Sequence, residues 1–549
     1  MKKKSKSKNQ KAKIQIKKQK FFLAIIVIIG LALRLVNLRS WLHFEMDEEV
    51  IAWKLRPFLQ EGKPFLIGGG TPFGFHLGPA FYYLSAIPLF FSRLDPIGWG
   101  VAAAILGVMT IWLMWLVGRN LYGRRVGLMA ALFWATSFTA VMSDRHWWPL
   151  VLDPILSLLA ILVMLKISRS PRRPPRRISR NDVIVWWMFL GLVLAFAWQA
   201  DLTVLPLFLA VGVVAVLNFR RQWKGILITA GILTVSFLPL VFFELRHPGQ
   251  NLSKLFSYEF LKRSDPAATG SDLMTKPLAE TIIFISTGLS RLLFPISHLD
   301  GNLLKFYTWC REIADGRVGG QPWWATGLAG LILFIPFVSM KFAKHRRYRE
   351  VSQTSQPADQ ILRIVILSGV GGIFLFKLMG GNLYDFYLSV LYPVVLILAA
   401  RAVYFIWRKW GKIAAIVGLG VIVGLNLATI IRVYHPQSLL VKQQAVAWAI
   451  SQVGKKDFEL DSLSGCSRYN GVRYLFFLEN MEPVKSFVDQ DLSWLYPSYD
   501  EQSRPEYLVT FATPSDLTGK DRKRYNQLQT SSIAAKHFGD LEVLIQEFP

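Results

Sequence analysis

The chain has 549 residues, 52% of them hydrophobic, with a mean hydropathy of +0.35 and a net charge of +27. Those values exclude an ordinary soluble domain and fit a polytopic membrane protein. Two cysteines, Cys310 and Cys466, are too few for a disulfide scaffold or a Cys-rich metal centre.

Residues 1–20 form a basic cytoplasmic tail. The apolar run 21–38 follows without a small-residue cleavage site, so it reads as a retained signal anchor. Ten more spans are predicted at 97–118, 126–142, 150–167, 183–198, 203–218, 225–243, 325–341, 361–379, 384–406 and 412–431. With the N-terminus inside, the inner segments hold 32 basic and three acidic residues, a net +29. The remaining 31 basic and 33 acidic residues sum to −2. The whole positive excess falls on one side, as the positive-inside rule requires. It is explained by topology, with no nucleic acid partner, and the lysine tail suits anionic membrane lipids.

That parity forbids two apolar stretches from crossing. Residues 79–92 are predicted to lie along the outer surface, with a turn at Asp95-Pro96, and Leu278–Ser297 to be re-entrant or interfacial there. The membrane domain then spans 21–435, and 436–549 form a small extracytoplasmic α/β domain. Its predicted elements are a helix over Leu439–Val453 and strands at Tyr507–Ala512 and Leu541–Ile545. Cys310 and Cys466 both fall outside, as a disulfide or as two free thiols.

Candidate chemistry collects on the same outer side. Asp47-Glu48-Glu49 lead a predicted helix, 47–60, directly after the first span. Acids in a first turn favour the helix dipole, so one reading is a cap; the other is a general base at the membrane surface. Asp153 opens the fourth span, where Asp153-Pro154 also suits a helix start. Asp144, Arg145 and His146 end the third span, and Asp144 with Arg145 makes a possible local ion pair. Arg34, Gln199, Asp201, Glu244, Arg246, His247, Lys377, Asn382, Tyr384, Asp385 and Tyr387 stand at other outer ends. So many polar groups at one end of the helices suggest a shared cavity. Arg and Lys can hold a phosphate leaving group, and a carboxylate can take the acceptor's proton. Together they describe group transfer from a lipid-linked phosphate. The Gly68–Gly74 run lacks a phosphate-loop ending and reads as a flexible loop over the site, with His76 a candidate substrate contact. The rival readings are a transporter or lipid flippase, which would place its polar groups at mid-bilayer, and a non-catalytic envelope-assembly protein. Trp147-Trp148 and Trp323-Trp324 are expected to join an interfacial belt.

Over about residues 21–405 the chain resembles the GT-C glycosyltransferases, family 39 type, which include the protein O-mannosyltransferases and the aminoarabinose transferases of lipid A. The points of likeness are Arg34, FEMDEEVIAW at 44–53, GPAFYYL at 78–84, LYGRRVGLMAALFWATS at 121–137, SDRHWWPLVLDPILSLLA at 143–160 and YDFYLSVLYP at 384–393. The resemblance implies an all-α polytopic bundle of about eleven transmembrane helices, with interfacial helices and the C-terminal α/β domain. It also implies an inverting transfer of sugar from a polyprenyl-phosphate donor on the outer face of the cytoplasmic membrane. Asp47 would be the base, with Glu48 beside it, and Asp153 would shape the substrate site. No cofactor or metal is carried over. The acceptor is a lipid, a protein or a polysaccharide. Two departures concern the donor. Leu77-Gly78-Pro79 replaces the Lys-Pro-Pro of many relatives, leaving Lys377, Arg145 or Arg246 to meet the phosphate. Tyr384-Asp385-Phe386-Tyr387 replaces a basic-aromatic opening of the late span.

Overall fold

A computed structural model of the chain describes residues 2–71, 74–169, 180–256, 272–303, 321–342, 349–378, 383–464, 471–489, 495–496, 502 and 504–548. Cys310, Cys466 and Asn382 lie outside them.

The bundle begins with α1 (Lys2–Leu35), whose first half is the lysine tail and whose second half is the first expected span. Next come α2 (Met46–Glu61) and α3 (Ala80–Phe91). The latter covers most of 79–92, and its 12 residues are too short to cross a bilayer. Then follow α4 (Ile97–Tyr122), α5 (Arg124–Thr136), α6 (Phe138–Ser143), α7 (Asp153–Ser168) and α8 (Arg180–Ala200). The expected sixth and seventh spans are α9 (Leu205–Ser236) and α10 (Leu238–Arg246). Rather than a loop at 218–224, α9 has a break at Gln222 (φ −128°, ψ 20°). Trp187 of α8 donates to Gln222 at 2.6 Å, while Trp198 and Gln199, three turns on, reach Ser236. The chain therefore doubles back at Gln222, and the two arms are separate spans.

The later helices are α11 (Asp272–Leu293), α12 (Trp323–Phe342), α13 (Arg349–Leu378), α14 (Tyr392–Lys409) and α15 (Lys412–Ile431). Within α11, Glu280 meets Lys377 and Arg291 meets Asp385, which flank the same connection between α13 and α14. Both parts of α11 thus lie at one end of the bundle, as expected of an interfacial helix. The tenth span starts at Tyr392 rather than 384; Asp385–Leu388 is a 3-10 turn. Pro393 is the reason, because a proline fits the first turn of a helix and not its interior.

By length and composition, six helices among the described residues can cross a membrane. The α5–α6 span is broken at Ser137, whose backbone is extended. Exposed Ile105, Trp112, Leu192, Val216, Leu227, Val235, Leu367 and Ile416 face outward from the bundle. In water such a surface would be unstable; in lipid it is the natural solvent contact.

The C-terminal unit carries α16 (Leu439–Val453), β1 (Phe458–Leu463), α17 (Val472–Leu478), β2 (Lys485–Ser486), β3 (Tyr507–Ala512), α18 (Gly519–Ser531), β4 (Ala534–Phe538) and β5 (Leu541–Glu547). The sheet order is β2-β1-β3-β5-β4, with β1 parallel to β2 and β3, and β5 antiparallel to β3 and β4. The unit is docked on α2. Leu439 donates its backbone N–H to Leu42 at 2.9 Å, and Lys442 donates to the Phe44 carbonyl at 2.7 Å. Trp53 of α2 packs within 5.1–5.4 Å, centroid to centroid, of Tyr474, Phe477 and Tyr496. Truncating this buried indole is expected to cost about 3–5 kcal/mol. Thermal unfolding of Trp53→Ala in detergent checks this, with protease sensitivity of the C-terminal unit as a second readout.

Candidate active site at one end of the helix bundle

Successive helical residues project about 100° apart, so the three acids of α2 cannot share one environment. Glu49 is buried and accepts the Tyr474 backbone N–H at 2.8 Å and the Trp53 indole at 3.3 Å. Burial pushes its carboxyl up. Glu48 is buried too. One oxygen accepts the Glu45 N–H at 2.9 Å, closing the first turn, and the other contacts His146 Nε2. The capping role foreseen for the acids thus belongs to Glu48. Asp47 alone keeps its side chain open to solvent. Lost hydration and then the neighbouring Glu48 push its carboxyl up to about 6. Tyr82 of α3 and Asp201 of the α8–α9 turn both feel its charge.

Behind Asp47 lies a buried knot of histidines. His43 and His146 meet edge-on at 4.8 Å, and His43 Nδ1 lies 3.3 Å from His435 Nε2. Burial, then the charge of Lys442, pushes His435 down to about 3, and His43 is lowered chiefly by burial. Lys442 lies 3.9 Å from Glu45, which offsets part of its cost in the interior. His43, Glu48 and His146 offer ligand atoms within 4.8 Å of one another, a donor set of the kind divalent cations use. The same atoms also make a direct histidine–carboxylate pair.

A second group of polar residues ties the span ends together. Asp153 is fully buried; one oxygen accepts from Thr203 at 2.8 Å and from Ser389 at 2.5 Å, so it joins α7 to the α8–α9 and α13–α14 connections. Asp144 pairs with Arg34 at 2.6 Å, not with its neighbour Arg145. Gly107 of α4 makes room, since a Cβ there would strike both partners. Arg145 donates to the carbonyls of Arg34 and Val36 and lies 4.2 Å above Trp41. Arg34, Asp144 and Arg145 therefore brace the first span against the third. Lys377 pairs with Glu280 at 2.8 Å, and Asp385 with Arg291.

Trp148 stacks on His146 at 4.4 Å and meets Phe386 edge-on; Phe386 stacks on Tyr384. This aromatic shelf leads from the histidine knot to Asp385. Trp147 is buried against Phe81, donates to Ser85, and so takes no part in a belt; Trp323, 84% exposed, fits one. His76 pairs across the Gly68–Gly74 loop with Gly70 and is held by Asn251 at 2.6 Å. Arg246 and His247 are exposed at the end of α10, and His247 lies 4.8 Å from the Phe243 ring.

Three groups escaped the reading of the sequence: His43, His435 and Lys442. His43 adjoins the acids, but a lone histidine carries little signal. His435 and Lys442 stand some 390 residues away and reach the site only through docking of the C-terminal unit.

The bundle, the interfacial helices of its first long loop and the appended sheet domain define the GT-C fold of polytopic membrane proteins. No family model matches the sequence, and no curated protein does. Solved structures do. The apo structure of ArnT from Cupriavidus metallidurans is 13% identical with a TM-score of 0.52, covering 96% of this chain and 98% of that one. The same protein bound to undecaprenyl phosphate gives 12% and 0.50, covering 95% and 97%. The oligosaccharyltransferase AglB from Archaeoglobus fulgidus, in complex with an inhibitory peptide and a dolichol-phosphate, gives 12% and 0.50, covering 90% and 69%.

Two predictions follow from the charges. Arg34→Met strands the buried Asp144 and should cost about 3–5 kcal/mol, read as a lower unfolding temperature in detergent. Asp47→Asn should act oppositely. Because the folded state raises the Asp47 pKa, ionising it destabilises the fold as pH rises from about 4 to about 6. At pH 7.5 the asparagine variant should unfold at the same or a higher temperature than wild type, and at pH 4 the difference should vanish.

Proposed function

We propose that this protein is a membrane glycosyltransferase that moves a sugar from a polyprenyl-phosphate donor to an acceptor on the outer face of the cytoplasmic membrane. The observation that carries this is the division of labour on α2: Glu48 and Glu49 are occupied by protein groups, while Asp47 is exposed, with lost hydration and the charge of Glu48 pushing its carboxyl up to about 6. A carboxylate poised there is mostly ionised at neutral pH and still basic enough to accept a proton. Support comes from ArnT, solved with undecaprenyl phosphate, and AglB, solved with a dolichol-phosphate and a peptide, which share the fold.

In the proposed reaction Asp47 takes the proton of the acceptor hydroxyl or amine as that atom attacks the anomeric carbon. The bond from that carbon to the phosphate oxygen breaks on the opposite side, so the configuration inverts. The electron pair leaves with the polyprenyl phosphate, whose tail stays in the bilayer. Asp153, held by Thr203 and Ser389, positions the connections that shape the substrate pocket. The Trp148–Phe386–Tyr384 shelf offers ring faces suited to a sugar. The inner-membrane placement, with the N-terminus cytoplasmic and the C-terminal unit outside, rests on the distribution of positive charge.

Purified protein in lipid vesicles, given a panel of polyprenyl-phosphate sugars, should release free lipid phosphate from one of them. Asp47→Asn should reduce that release at least about 100-fold, the scale of one general base. Full transfer by the asparagine variant would overturn the assignment. We expect transfer to survive exhaustive dialysis against EDTA, because Glu48 is already paired with His146. Loss of activity restored by Mn²⁺ or Mg²⁺ would instead make the histidine knot a metal centre.

A further inference from the structure

The chain enters the bilayer with α4, which begins at Ile97, and the residues just before it form a strained turn. Helix α3 stops at Phe91. Arg93 then takes φ 56° and Leu94 φ 70°, two left-handed residues in succession, neither of them glycine. Glycine takes that conformation without steric cost; arginine and leucine take it only where their surroundings impose it. The surroundings here are specific. The backbone N–H groups of Arg93 and Leu94 reach back to the carbonyls of Phe90 and Leu89, at 3.1 and 2.9 Å. Tyr474 of α17 donates its hydroxyl to the Leu94 carbonyl at 2.9 Å. Asp95 accepts the Ile97 N–H at 2.8 Å and pairs with Arg39 at 2.8 Å. Leu94 packs against the core, and Arg93 is left exposed.

The neighbours of that guanidinium are mostly apolar. Phe90 is 62% and Phe91 80% exposed, beside exposed Ile87. Leu59, Gln60, Phe90, Phe91, Arg93 and Leu94 line a cleft of about 440 Å³ between the ends of α2 and α3, room enough for part of a small amphiphile. Leu59 lies more than three turns beyond Asp47 along α2, about 18 Å, so the cleft is separate from the proposed active site. Arg93 makes no hydrogen bond or ion pair among the described residues. The acids of this region are taken, Asp95 by Arg39 and Glu61 by Lys63. An arginine just ahead of a span stands at the level of lipid phosphates, and the phenyl rings beside it suit acyl chains.

We propose that this cleft binds an anionic phospholipid of the surrounding leaflet. Arg93 holds the phosphate, the Gln60 amide meets a headgroup hydroxyl, and Leu59, Phe90 and Phe91 contact the upper part of the acyl chains. A soluble phosphate would leave those rings in water. A zwitterionic headgroup brings a cation of its own, and Asp95 and Glu61 already hold basic partners. Because Tyr474 grips the same turn, the bound lipid fastens the C-terminal unit to the membrane along with α2. The inference is independent of the glycosyltransferase reading.

The test titrates the full chain, delipidated in a neutral detergent, with phosphatidylglycerol or with phosphatidylcholine of the same acyl chains. The unfolding temperature is followed, since a ligand of the folded state raises it. Wild type should respond to phosphatidylglycerol at lower concentration. Arg93→Gln should move that midpoint up about 5-fold, the scale of one arginine at a membrane surface, and leave the phosphatidylcholine titration unchanged. Arg93→Lys should keep most of the preference. Arg93→Asn, a residue that tolerates left-handed backbone, should behave as Arg93→Gln does. Without lipid both should unfold as wild type does; destabilisation of both would make Arg93 a structural brace and overturn the proposal. Equal titration of wild type by the two lipids, or a wild-type preference in Arg93→Gln, would overturn it as well. So would stabilisation by glycerol phosphate equal to that by phosphatidylglycerol, which would make the cleft a site for soluble anions.

Discussion

Three carboxylates on adjacent residues of one helix cannot all be ionised, buried and unpaired. The fold answers this constraint by drawing partners from distant parts of the chain. His146, from the end of the third span, meets Glu48; the backbone of Tyr474, in the C-terminal unit, meets Glu49. Of the three acids only Asp47 is left exposed. The placement of the appended domain therefore follows from the chemistry of α2 as much as from apolar packing. Without the domain, Glu49 would lose a backbone donor and Trp53 its aromatic neighbours, and the helix that orients Asp47 would lose its support.

The same logic governs the bundle ends. A charge near low dielectric is tolerated when it is paired. Arg34 with Asp144 and Arg291 with Asp385 tie spans together at the site end, and Arg401 with Asp359 and Tyr122 does so at the other. These pairs position the framework. The exposed acid Asp47 stands on α2, outside the helices long and apolar enough to cross a membrane.

Much of this was legible in the sequence, for reasons set by the bilayer. About twenty apolar residues are needed to cross it, and basic loops stay on one side, so parity alone demoted 79–92 to a surface helix. The helix Leu439–Val453 was read with its observed ends, since Ser438 caps it and Gly454 stops it. The misplaced start of the tenth span reflects hydropathy outweighing Pro393. Pairing was the harder part. Asp144 next to Arg145 looks like a local pair, yet Arg34, 110 residues away, wins because its guanidinium reaches Asp144 where α1 meets the end of α6. Trp147 looked like a belt residue because hydropathy reports burial without saying whether lipid or protein supplies it. The histidine knot was illegible because its members come together only in three dimensions.

Asp47 alone of the three acids is exposed, and in the proposed orientation it faces the outer side of the membrane. Single Asp47→Cys and Glu49→Cys variants, in a background with Cys310 and Cys466 changed to serine, can be exposed in intact cells to a membrane-impermeant maleimide. Rapid labelling at position 47, with none at 49 until the protein is denatured, is the expected result. Labelling at 47 only after the membrane is permeabilised, or equal labelling at both positions, would contradict it.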